Sequence, residues 1–310
     1  MADVVVMGVF VADAAYRADR LPRMGETILG HGFSLGPGGK GSNQAVAAAR
    51  AGARTAMLTR LGADDFAAMA RTLWRGAGVQ DASLTDADAA TGSAFIFLEE
   101  GTGMNAIIVA PGAAARISPD DVADWGGLID GARVFVTQLE QPLEAADAAL
   151  RRAREGGATT ILNPAPAAAL DDAMIALCDY LTPNEAEAES LTGIPVTGPD
   201  DATRAAEALM ARGAGAVVVT LGAQGVLFHD GHGPRHIPAK APAPVADTTG
   251  AGDAFTGALA AALAGGRAPV DAVRFALAGA GISVTRHGAA PAMPDGAEID
   301  CFLASTAPPA

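Results

Sequence analysis

Short runs of apolar, often β-branched residues recur along the chain, and Ala-rich stretches with helical character separate them. The runs lie at residues 4–11 (VVVMGVFV), 55–62 (TAMLTRLG), 132–139 (ARVFVTQL), 159–166 (TTILNPAP) and 216–222 (AVVVTLG). Strands that are apolar throughout are typical of sheets covered on both faces, and alternating strands and helices are typical of α/β proteins. The pattern therefore predicts a mostly parallel sheet flanked by helices.

Two stretches depart from this rhythm, residues 12–36 and 91–110. The second alternates between apolar and polar residues around the sequence EEGTG, which is a hairpin signal. Together the two stretches predict a small antiparallel sheet that stands off the main body and covers a pocket as a lid. The predicted division assigns residues 1–11, 37–90 and 111–310 to the α/β domain and residues 12–36 and 91–110 to the lid.

The composition excludes several classes of function. The chain has 310 residues, of which 50% are hydrophobic and 18% charged, as in globular proteins. Its 21 Lys and Arg against 35 Asp and Glu give a net charge of −14, which repels polyanions and disfavours nucleic-acid binding. A single Lys or Arg in a pocket can still hold a small phosphate ligand.

Cysteine use and the N-terminal sequence predict a cytoplasmic protein without membrane contact. The two cysteines, Cys178 and Cys301, lie far apart in the sequence and form no metal-binding spacing, so a reducing compartment without disulfides is expected. The apolar run 4–11 lacks a basic segment before it and a cleavage site after it, and it is too short to cross a bilayer.

The sequence DTTGAGDAFTGAL, residues 247–259, combines small residues with two aspartates. Gly250, Ala251 and Gly252 let backbone N–H groups converge on an anion, and a helix that begins there adds the positive end of its dipole. The same dipole would stabilise Asp253 without any catalytic role. However, an anion site beside a carboxylate is what phosphoryl transfer to an alcohol requires, with the carboxylate as proton acceptor.

A second glycine-rich segment, GPGGKGSNQAVAAARAG at residues 36–52, precedes an Ala-rich helix. Its glycines allow a ligand to approach the backbone closely, and Lys40 and Asn43 suit a polyhydroxylated substrate. The spacing is not that of a P-loop, because Gly41 follows Lys40. The segment also fits a plain turn in which Ser42 or Asn43 caps the helix.

Two further segments suit the nucleotide side of a site. In LTPNEAEAESLTG, residues 181–193, the side chains of Asn184 and Glu187 could reach Mg²⁺ or its waters, although a helix cap with a solvated glutamate is the alternative. In VVVTLGAQGVLF, residues 217–228, Thr220, Gly222 and Gly225 leave room for a ring or ribose at a strand end, or form a simple hairpin-like connection.

Five motifs in this order resemble the ribokinase-like sugar kinases of the phosphofructokinase-B family: GGKGSNQAVAAARAG, NPAP, TPNEAEAESLTG, VTLGAQG and DTTGAGDAFTGAL. The resemblance extends from residue 4 to about residue 294. It implies a Rossmann-like α/β domain with a small β lid. It also implies transfer of the ATP γ-phosphoryl group to the primary hydroxyl of a sugar, here the 5-hydroxyl of a pentose, with D-ribose as the expected substrate.

The resemblance carries residue roles over to matching positions. Asp253 matches the family's catalytic base, and Gly250, Ala251 and Gly252 match its anion hole. The sugar-contacting positions are Asp13, Gly39, Lys40, Asn43 and Glu140, and those on the ATP and Mg²⁺ side are Asn184, Glu187, Thr220, Gly222 and Gly225. A monovalent cation, typically K⁺, is implied at Asp247, Thr249, Ser283, Arg286, Gly288 and Ala292. The lid in this family often pairs between two chains, which implies a homodimer.

One position departs from the family's pattern. Val11 stands where these kinases typically have a sugar-binding asparagine, and a valine cannot bind a sugar hydroxyl through a hydrogen bond. A sugar that lacks one hydroxyl, such as 2-deoxyribose, is therefore an alternative substrate. Fructose or a nucleoside is a further alternative, although two Trp and two Tyr offer few stacking surfaces for a base. A non-catalytic sugar sensor is disfavoured because Asp253 is present.

Overall fold

The computed structural model describes residues 2–102 and 104–306. Its strands, in chain order, are β1 (Val4–Met7), β2 (Val11–Ala18), β3 (Gly32–Gly38), β4 (Thr55–Leu58), β5 (Arg60–Leu61), β6 (Gln80–Asp81), β7 (Leu84–Thr85), β8 (Thr91–Glu99), β9 (Asn105–Gly112), β10 (Val134–Thr137), β11 (Thr159–Leu162), β12 (Tyr180–Leu181), β13 (Val217–Thr220), β14 (Val226–His229) and β15 (Pro234–Ile237).

Eleven α-helices connect and cover these strands in the described part of the chain. They are α1 (Lys40–Arg50), α2 (Asp65–Ala77), α3 (Pro119–Asp124), α4 (Gly126–Ile129), α5 (Leu143–Glu155), α6 (Asp172–Ile175), α7 (Glu185–Thr192), α8 (Pro199–Ala211), α9 (Ala251–Ala264), α10 (Pro269–Ser283) and α11 (Gly296–Thr306). None of the described helices is both long and apolar enough to cross a bilayer.

The main sheet has nine strands in the order β15-β14-β13-β12-β11-β10-β1-β4-β6. Seven strands, from β13 to β6, run parallel, and β14 and β15 add an antiparallel edge. Alternate residues of the strands between the two edge strands β6 and β15 enter two separate buried clusters: Val5 and Phe135 lie in one, Val4 and Val134 in the other. Both faces of the sheet are therefore buried between its edges, which explains why the inner strands are apolar throughout and confirms the predicted α/β class.

A separate four-stranded sheet has the order β3-β2-β8-β9. The predicted hairpin is present, since β8 and β9 pair antiparallel with Leu98 opposite Asn105. Gly103, which belongs to the predicted hairpin signal, lies outside the described residues. The expectation of a purely antiparallel sheet is wrong, because β2 and β8 pair in parallel over eight residues. The two strands come from distant segments, so no hairpin constrains their relative direction. The role of this sheet as a lid and the predicted domain boundaries stay predictions.

The sequence suggested that the first apolar run, residues 4–11, forms one strand, but the structure divides it between two strands. β1 ends at Met7, and the chain crosses at residues 8–10 into β2, which belongs to the small sheet. A Cβ on Gly8 would lie 2.1 Å from Oε1 of Gln138, and a Cβ on Gly41 would lie 2.7 Å from the Cα of Gly8. The crossing therefore packs directly against the N-terminus of α1, and only glycine fits at these two contacts.

Helices α1 and α9 also approach each other closely on the same face of the main sheet. A Cβ on Gly257 would lie 2.4 Å from the backbone oxygen of Gln44 and 2.5 Å from the Cβ of Ala47. Small residues at this contact bring the two helix backbones together. The contact brings the first turns of both helices, which carry Asn43 and Asp253, to one place.

Candidate active site

Asp253 lies in the first turn of α9 and is buried, with 8% of its surface exposed. Its carboxylate accepts one hydrogen bond from Nδ2 of Asn43 at 2.9 Å and one from Nε2 of Gln44 at 3.0 Å, consecutive residues near the N-terminus of α1. Burial raises the pKa of Asp253, whereas Lys40 and the two amides act to lower it. The structure thus provides a buried carboxylate with a raised proton affinity, oriented by two side-chain amides.

The N-terminus of α9 presents free backbone donors beside this carboxylate. Gly250 is the N-cap with φ 74°, and a Cβ there would lie 2.7 Å from the Cβ of Ala289, so glycine is required. Ala251 is the first helical residue. Among the hydrogen bonds of the described residues, the N–H groups of Gly252 and Asp253 have no acceptor. A Cβ on Gly252 would meet no atom within 4 Å, so space for an anion adjoins these donors.

Lys40, the first residue of α1, lies at the centre of a group of carboxylates. Burial acts to lower the pKa of Lys40, but the negative charges of Asp253, Glu140 and Glu187 outweigh it and raise the pKa. The Lys40 backbone N–H donates to Oε2 of Glu140 at 2.9 Å. Lys40 therefore stays a cation, and it links the predicted sugar side to the predicted nucleotide side.

Asp13 and Glu140 are half-buried and carry perturbed carboxyl groups. Burial raises the pKa of Asp13 to about 6, and the nearby Asp253 adds to the shift. Burial raises the pKa of Glu140 to about 6 as well, against the effect of Lys40. A Cβ on Gly38 would lie 2.1 Å from Oδ2 of Asp13, so glycine at that position makes room for the carboxylate.

Gly39, rather than a polar residue, is the N-cap of α1. Its φ is 89°, and a Cβ there would lie 2.5 Å from the carbonyl oxygen of Val9. The expectation that Ser42 or Asn43 caps the helix is wrong, because no side chain caps it. The Oγ of Ser42 instead accepts from Nε1 of Trp74 at 2.9 Å, and Asn43 turns inward to Asp253. Asn43 is thereby part of the site and not of the helix end.

Asn184 and Glu187 form a capping box at the start of α7. The Glu187 N–H donates to Oδ1 of Asn184 at 2.8 Å, and the Asn184 N–H donates to Oε2 of Glu187 at 2.9 Å. The capping alternative is thus confirmed, but the expectation of a solvated glutamate is wrong because Glu187 is buried. Burial raises the pKa of Glu187, while Asn184 and Lys40 oppose this and Asp253 adds to it.

Thr220, Gly222 and Gly225 lie in the antiparallel connection from β13 to β14. The Thr220 N–H donates to the carbonyl of Pro183 at 2.9 Å, which joins this turn to the residue before Asn184. Gly222 and Gly225 have φ of 50° and 98°. A cavity of about 510 Å³ has one wall formed by residues 236–238, at the end of β15, and the other by α10 and α11. Nε2 of His236 lies 2.7 Å from the carbonyl oxygen of Gln224, which places this wall beside the turn.

Asp247 joins two loops beside the N-terminus of α9. Its Oδ1 accepts from the N–H of Thr249 at 2.9 Å, and its Oδ2 accepts from the N–H of Gly288 at 2.9 Å. Burial acts to raise the pKa of Asp247, but these hydrogen bonds and the nearby His287 hold it below its usual value. Asp247 is therefore an anion whose charge is fixed by the backbone.

The other predicted cation positions converge on the same loops. The N–H of Arg286 donates to the carbonyl of Ser283 at 3.0 Å, and its guanidinium donates to the carbonyl of Ala292 at 3.5 Å and to Glu298. Among the described residues, the carbonyls of Thr249, Arg286 and Gly288 accept no hydrogen bond. The structure thus brings all six positions together, and three of their carbonyl oxygens are free to bind a ligand.

Three buried amides next to Asp253 were not recognised from the sequence. Gln44, Gln138 and Asn163 form a hydrogen-bonded group in which Gln44 is bonded to both others and to Asp253. The sequence did contain a signal for two of them, because Asn163 directly follows the apolar strand β11 and Gln138 directly follows β10. Parallel strands end at one edge of the sheet, so these side chains meet there.

A buried carboxylate beside free amides of a helix N-terminus, at the carboxyl edge of a parallel sheet, defines a site for transfer of an anionic group to a hydroxyl. The match to the pfkB family carbohydrate kinase model covers residues 1–296. The chain belongs to this family of carbohydrate kinases.

Comparisons with individual proteins support the assignment to the carbohydrate kinases. The chain is 42% identical to a ribokinase of Mus musculus over 267 residues, which are 85% of this chain and 82% of the other. It is 35% identical to a deoxyribokinase of Salmonella typhi over 260 residues, 83% of this chain and 84% of the other. The structure of Arabidopsis thaliana ribokinase complexed with ribose and ATP superposes with a TM-score of 0.89 at 30% identity, covering 97% and 98% of the two chains.

Proposed function

We propose that this carbohydrate kinase transfers the γ-phosphoryl group of ATP to the primary 5-hydroxyl of a pentose, with D-ribose as the first candidate. The observation that carries the proposal is that the buried Asp253 carboxylate lies beside the backbone N–H groups of Gly252 and Asp253, which have no acceptor among the described residues. The similarity to ribokinases over most of the chain favours ribose among the sugars.

Asp253 would act as the proton acceptor of the reaction. Its raised pKa strengthens it as a base for the proton that the sugar hydroxyl loses as its oxygen attacks the phosphorus. The free amides at the start of α9 and the ammonium of Lys40 would stabilise the negative charge on the phosphoryl group during transfer. Asp253 would return the proton to solvent after the sugar phosphate leaves.

The sugar would bind against Asp13, Gly39, Lys40, Asn43 and Glu140. The side-chain oxygen Oδ1 of Asn43 is buried without a donor in the described part of the chain, so it has capacity for a ligand hydroxyl. The carboxylates of Asp13 and Glu140 add acceptors of the kind that sugar hydroxyls require. The donor and acceptor set therefore fits a polyhydroxylated ligand.

The nucleotide would lie along Asn184, Thr220, Gly222 and Gly225, with its base toward the 510 Å³ cavity beside the hairpin turn. No group of three acidic, histidine or cysteine side chains among the described residues has the geometry to hold a metal ion by itself. Mg²⁺ usually binds through one or two carboxylates together with substrate phosphates and water, and Glu187 supplies such a carboxylate. When bound, Mg²⁺ would neutralise phosphate charge.

A monovalent cation such as K⁺ would be held by the loops around Asp247. The carbonyl oxygens of Thr249, Arg286 and Gly288, which accept no hydrogen bond within the described part of the chain, are the ligand type that K⁺ prefers, and the Asp247 carboxylate supplies a charge nearby. The residues therefore fit the ion. Its bound charge would act through the loop that ends at Gly250, next to the free amides of α9.

A second substrate, 2-deoxy-D-ribose, is favoured by Val11. This residue is buried in the core at the start of β2, two residues before Asp13, and its side chain offers no hydrogen bond. The similarity to a deoxyribokinase is consistent with a pocket that has lost one hydroxyl contact. If ribose is used poorly, Val11→Asn is expected to raise kcat/KM for ribose about tenfold, the size of one recovered hydrogen bond.

The small sheet would pair between two chains to form a homodimer. Tyr16, Phe33, Phe95 and Ile108 lie on one face of this sheet, and these large apolar side chains are between 37% and 68% exposed. Exposed apolar patches of this kind mark interfaces. Light scattering at micromolar concentration is expected to give the mass of two chains, and Phe33→Lys is expected to lower it toward one.

The function is tested by ADP formation with Mg²⁺ and K⁺ present, using D-ribose, 2-deoxy-D-ribose, D-fructose and a nucleoside as acceptors. Phosphorus NMR of the product then identifies the phosphorylated oxygen. Turnover with a pentose and a 5-phosphate product is expected. Turnover with only fructose or the nucleoside would change the assigned substrate but not the kinase family. Sugar binding without turnover would support a non-catalytic sensor instead.

A further inference from the structure

A chain of buried side-chain amides ends on the Asp253 carboxylate. Gln44 is fully buried, and its Nε2 donates to Oδ1 of Asp253 at 3.0 Å and to Oδ1 of Asn163 at 3.1 Å. Its Oε1 accepts from Nε2 of Gln138 at 2.6 Å. The amide oxygen and both N–H groups of Gln44 therefore have partners, and one of the two N–H groups donates to Asp253.

The direction of this chain is set by the backbone of the main sheet. Nδ2 of Asn163 donates to the carbonyl of Thr182, just beyond β12, at 2.9 Å. A carbonyl can only accept, so Asn163 must turn its oxygen toward Gln44, and Gln44 must then present its N–H groups to Asn163 and Asp253. The amide of Gln138 reinforces the same orientation from the other side.

We propose that Gln44 is a positioning residue for the proton acceptor: it fixes the orientation of the Asp253 carboxylate and keeps it ionised while buried. This inference rests on the proposed function, because it concerns the same proton transfer. A buried carboxylate without a donor would take up a proton and lose its capacity as a base. Asn43, the other donor to Asp253, is a predicted sugar contact, so Gln44 is the donor that remains dedicated to Asp253 throughout turnover.

Several charged groups interact electrostatically with Asp253. They are Asp13 from β2, Lys40 from α1, Glu140 after β10 and Glu187 from α7. All four are unchanged when only an amide is substituted. A difference in the pH dependence of kcat between the native protein and an amide variant therefore reports the amide.

The test is the pH profile of kcat at saturating ATP and sugar for Gln44→Met, which keeps the side-chain length but removes the donor. The acidic limb of the profile is expected to move to higher pH by about one unit, so that kcat falls about tenfold on the acidic side and recovers at higher pH. Gln138→Met, which removes one of the two groups that orient Gln44 and leaves Asn163 in place, is expected to give a smaller shift in the same direction and serves if Gln44→Met does not fold.

Gln141→Met is the matched control. Gln141 is a buried glutamine that donates to Oγ1 of Thr137 and to the carbonyl of Gln138, without contact to Asp253. Its substitution is expected to lower thermal stability without moving the pH profile. Unchanged profiles in both Gln44→Met and Gln138→Met, with the native protein active, would overturn the inference alone. An inactive native protein would instead overturn the proposed function.

Discussion

Asp247 and Asp253 lie only six residues apart, Asp247 in the loop before α9 and Asp253 in the first turn of that helix. Their surroundings nevertheless differ in two ways. Asp253 is buried and its oxygens accept from side-chain amides, whereas Asp247 is half-buried and its oxygens accept from backbone N–H groups. Burial dominates for Asp253 and raises its pKa; for Asp247 hydrogen bonds outweigh burial and the pKa is lowered.

The difference indicates how one short segment can supply two kinds of carboxylate. A raised pKa suits a group that must accept a proton, and a lowered pKa suits a group that must remain an anion beside a cation. The small residues 250–252 between them allow a tight turn, so the two sites share the N-terminus of α9. The predictions below test this division of roles.

The largest effect is expected from removing the proton acceptor. Asp253→Asn should lower kcat by about a thousandfold, the range that general base catalysis contributes, while ATP binding measured by calorimetry is retained. Asp271→Asn is the control, because Asp271 occupies the first turn of α10 and is exposed. Near-native turnover by Asp253→Asn would remove this residue from the mechanism.

The backbone N–H groups at the start of α9 can be tested by substituting two glycines of this helix, one at the anion site and one as a control. Gly252→Ala adds a methyl group where no protein atom lies within 4 Å, so the fold should be kept while kcat/KM for ATP falls on the order of a hundredfold. Gly257→Ala would place a Cβ 2.4 Å from the Gln44 backbone oxygen, so thermal stability should fall instead. Native activity in Gly252→Ala would mean that no anion lies there.

Asp247→Asn should change the response to potassium and leave the reaction itself intact. Loss of the negative charge is expected to raise the KCl concentration for half-maximal activation about tenfold at constant ionic strength. The thermal shift on adding KCl should weaken in parallel, which separates binding from turnover. An unchanged KCl response, in both activity and melting temperature, would count against a cation at Asp247.

A smaller effect is expected from pH. Asp13 and Glu140 have pKa values raised to about 6, so they lose their negative charge as the pH falls through that value. The KM for the sugar should therefore rise several-fold below about pH 6, while activation by K⁺ is unchanged there because the pKa of Asp247 is lowered. Asp13→Asn should remove part of this dependence; a flat KM in the native protein would argue against both carboxylates as sugar ligands.

The same two carboxyl groups, Asp13 and Glu140, are expected to affect stability in the opposite direction. Their protonation at lower pH should weaken sugar binding but stabilise the folded protein. A carboxyl whose pKa is raised by folding binds more protons in the folded state between its usual value and about 6. Their contribution to the free energy of unfolding should therefore increase as the pH falls from about 7 toward about 4.5. Chemical denaturation of Asp13→Asn and the native protein across this range measures it.

The sequence predicted the sheet class because the inner strands of the main sheet are buried on both faces and are apolar throughout. It did not predict that β1 ends at Met7, since the turn at Gly8 depends on a close contact with Gln138 and Gly41 from distant segments. The parallel pairing of β2 and β8 was missed for a similar reason, because strand direction within a sheet built from two segments depends on the path between them.

The candidate site, like the fold, was predicted from the sequence only in part. Its motifs predicted a carboxylate beside small residues, and the structure brings the predicted catalytic, sugar and cation positions together. Local patterns misled where a side chain had a long-range partner: Asn43 turns to Asp253 and does not cap α1, and the glutamate of the Asn184 capping box is buried. The role of Gln44 could not be predicted, because its partners lie about a hundred to two hundred residues away in the sequence.

Carbon NMR of the protein labelled at aspartate carboxyl carbons, titrated from about pH 2 to about pH 8, tests the comparison of the two aspartates most directly. The signals of Asp253 and Asp247 are assigned by their loss in the two asparagine variants. Asp253 is expected to titrate above the usual aspartate value of 3.8 and Asp247 below it. Equal values, or the reverse order, would contradict the assignment of proton transfer to one and cation binding to the other.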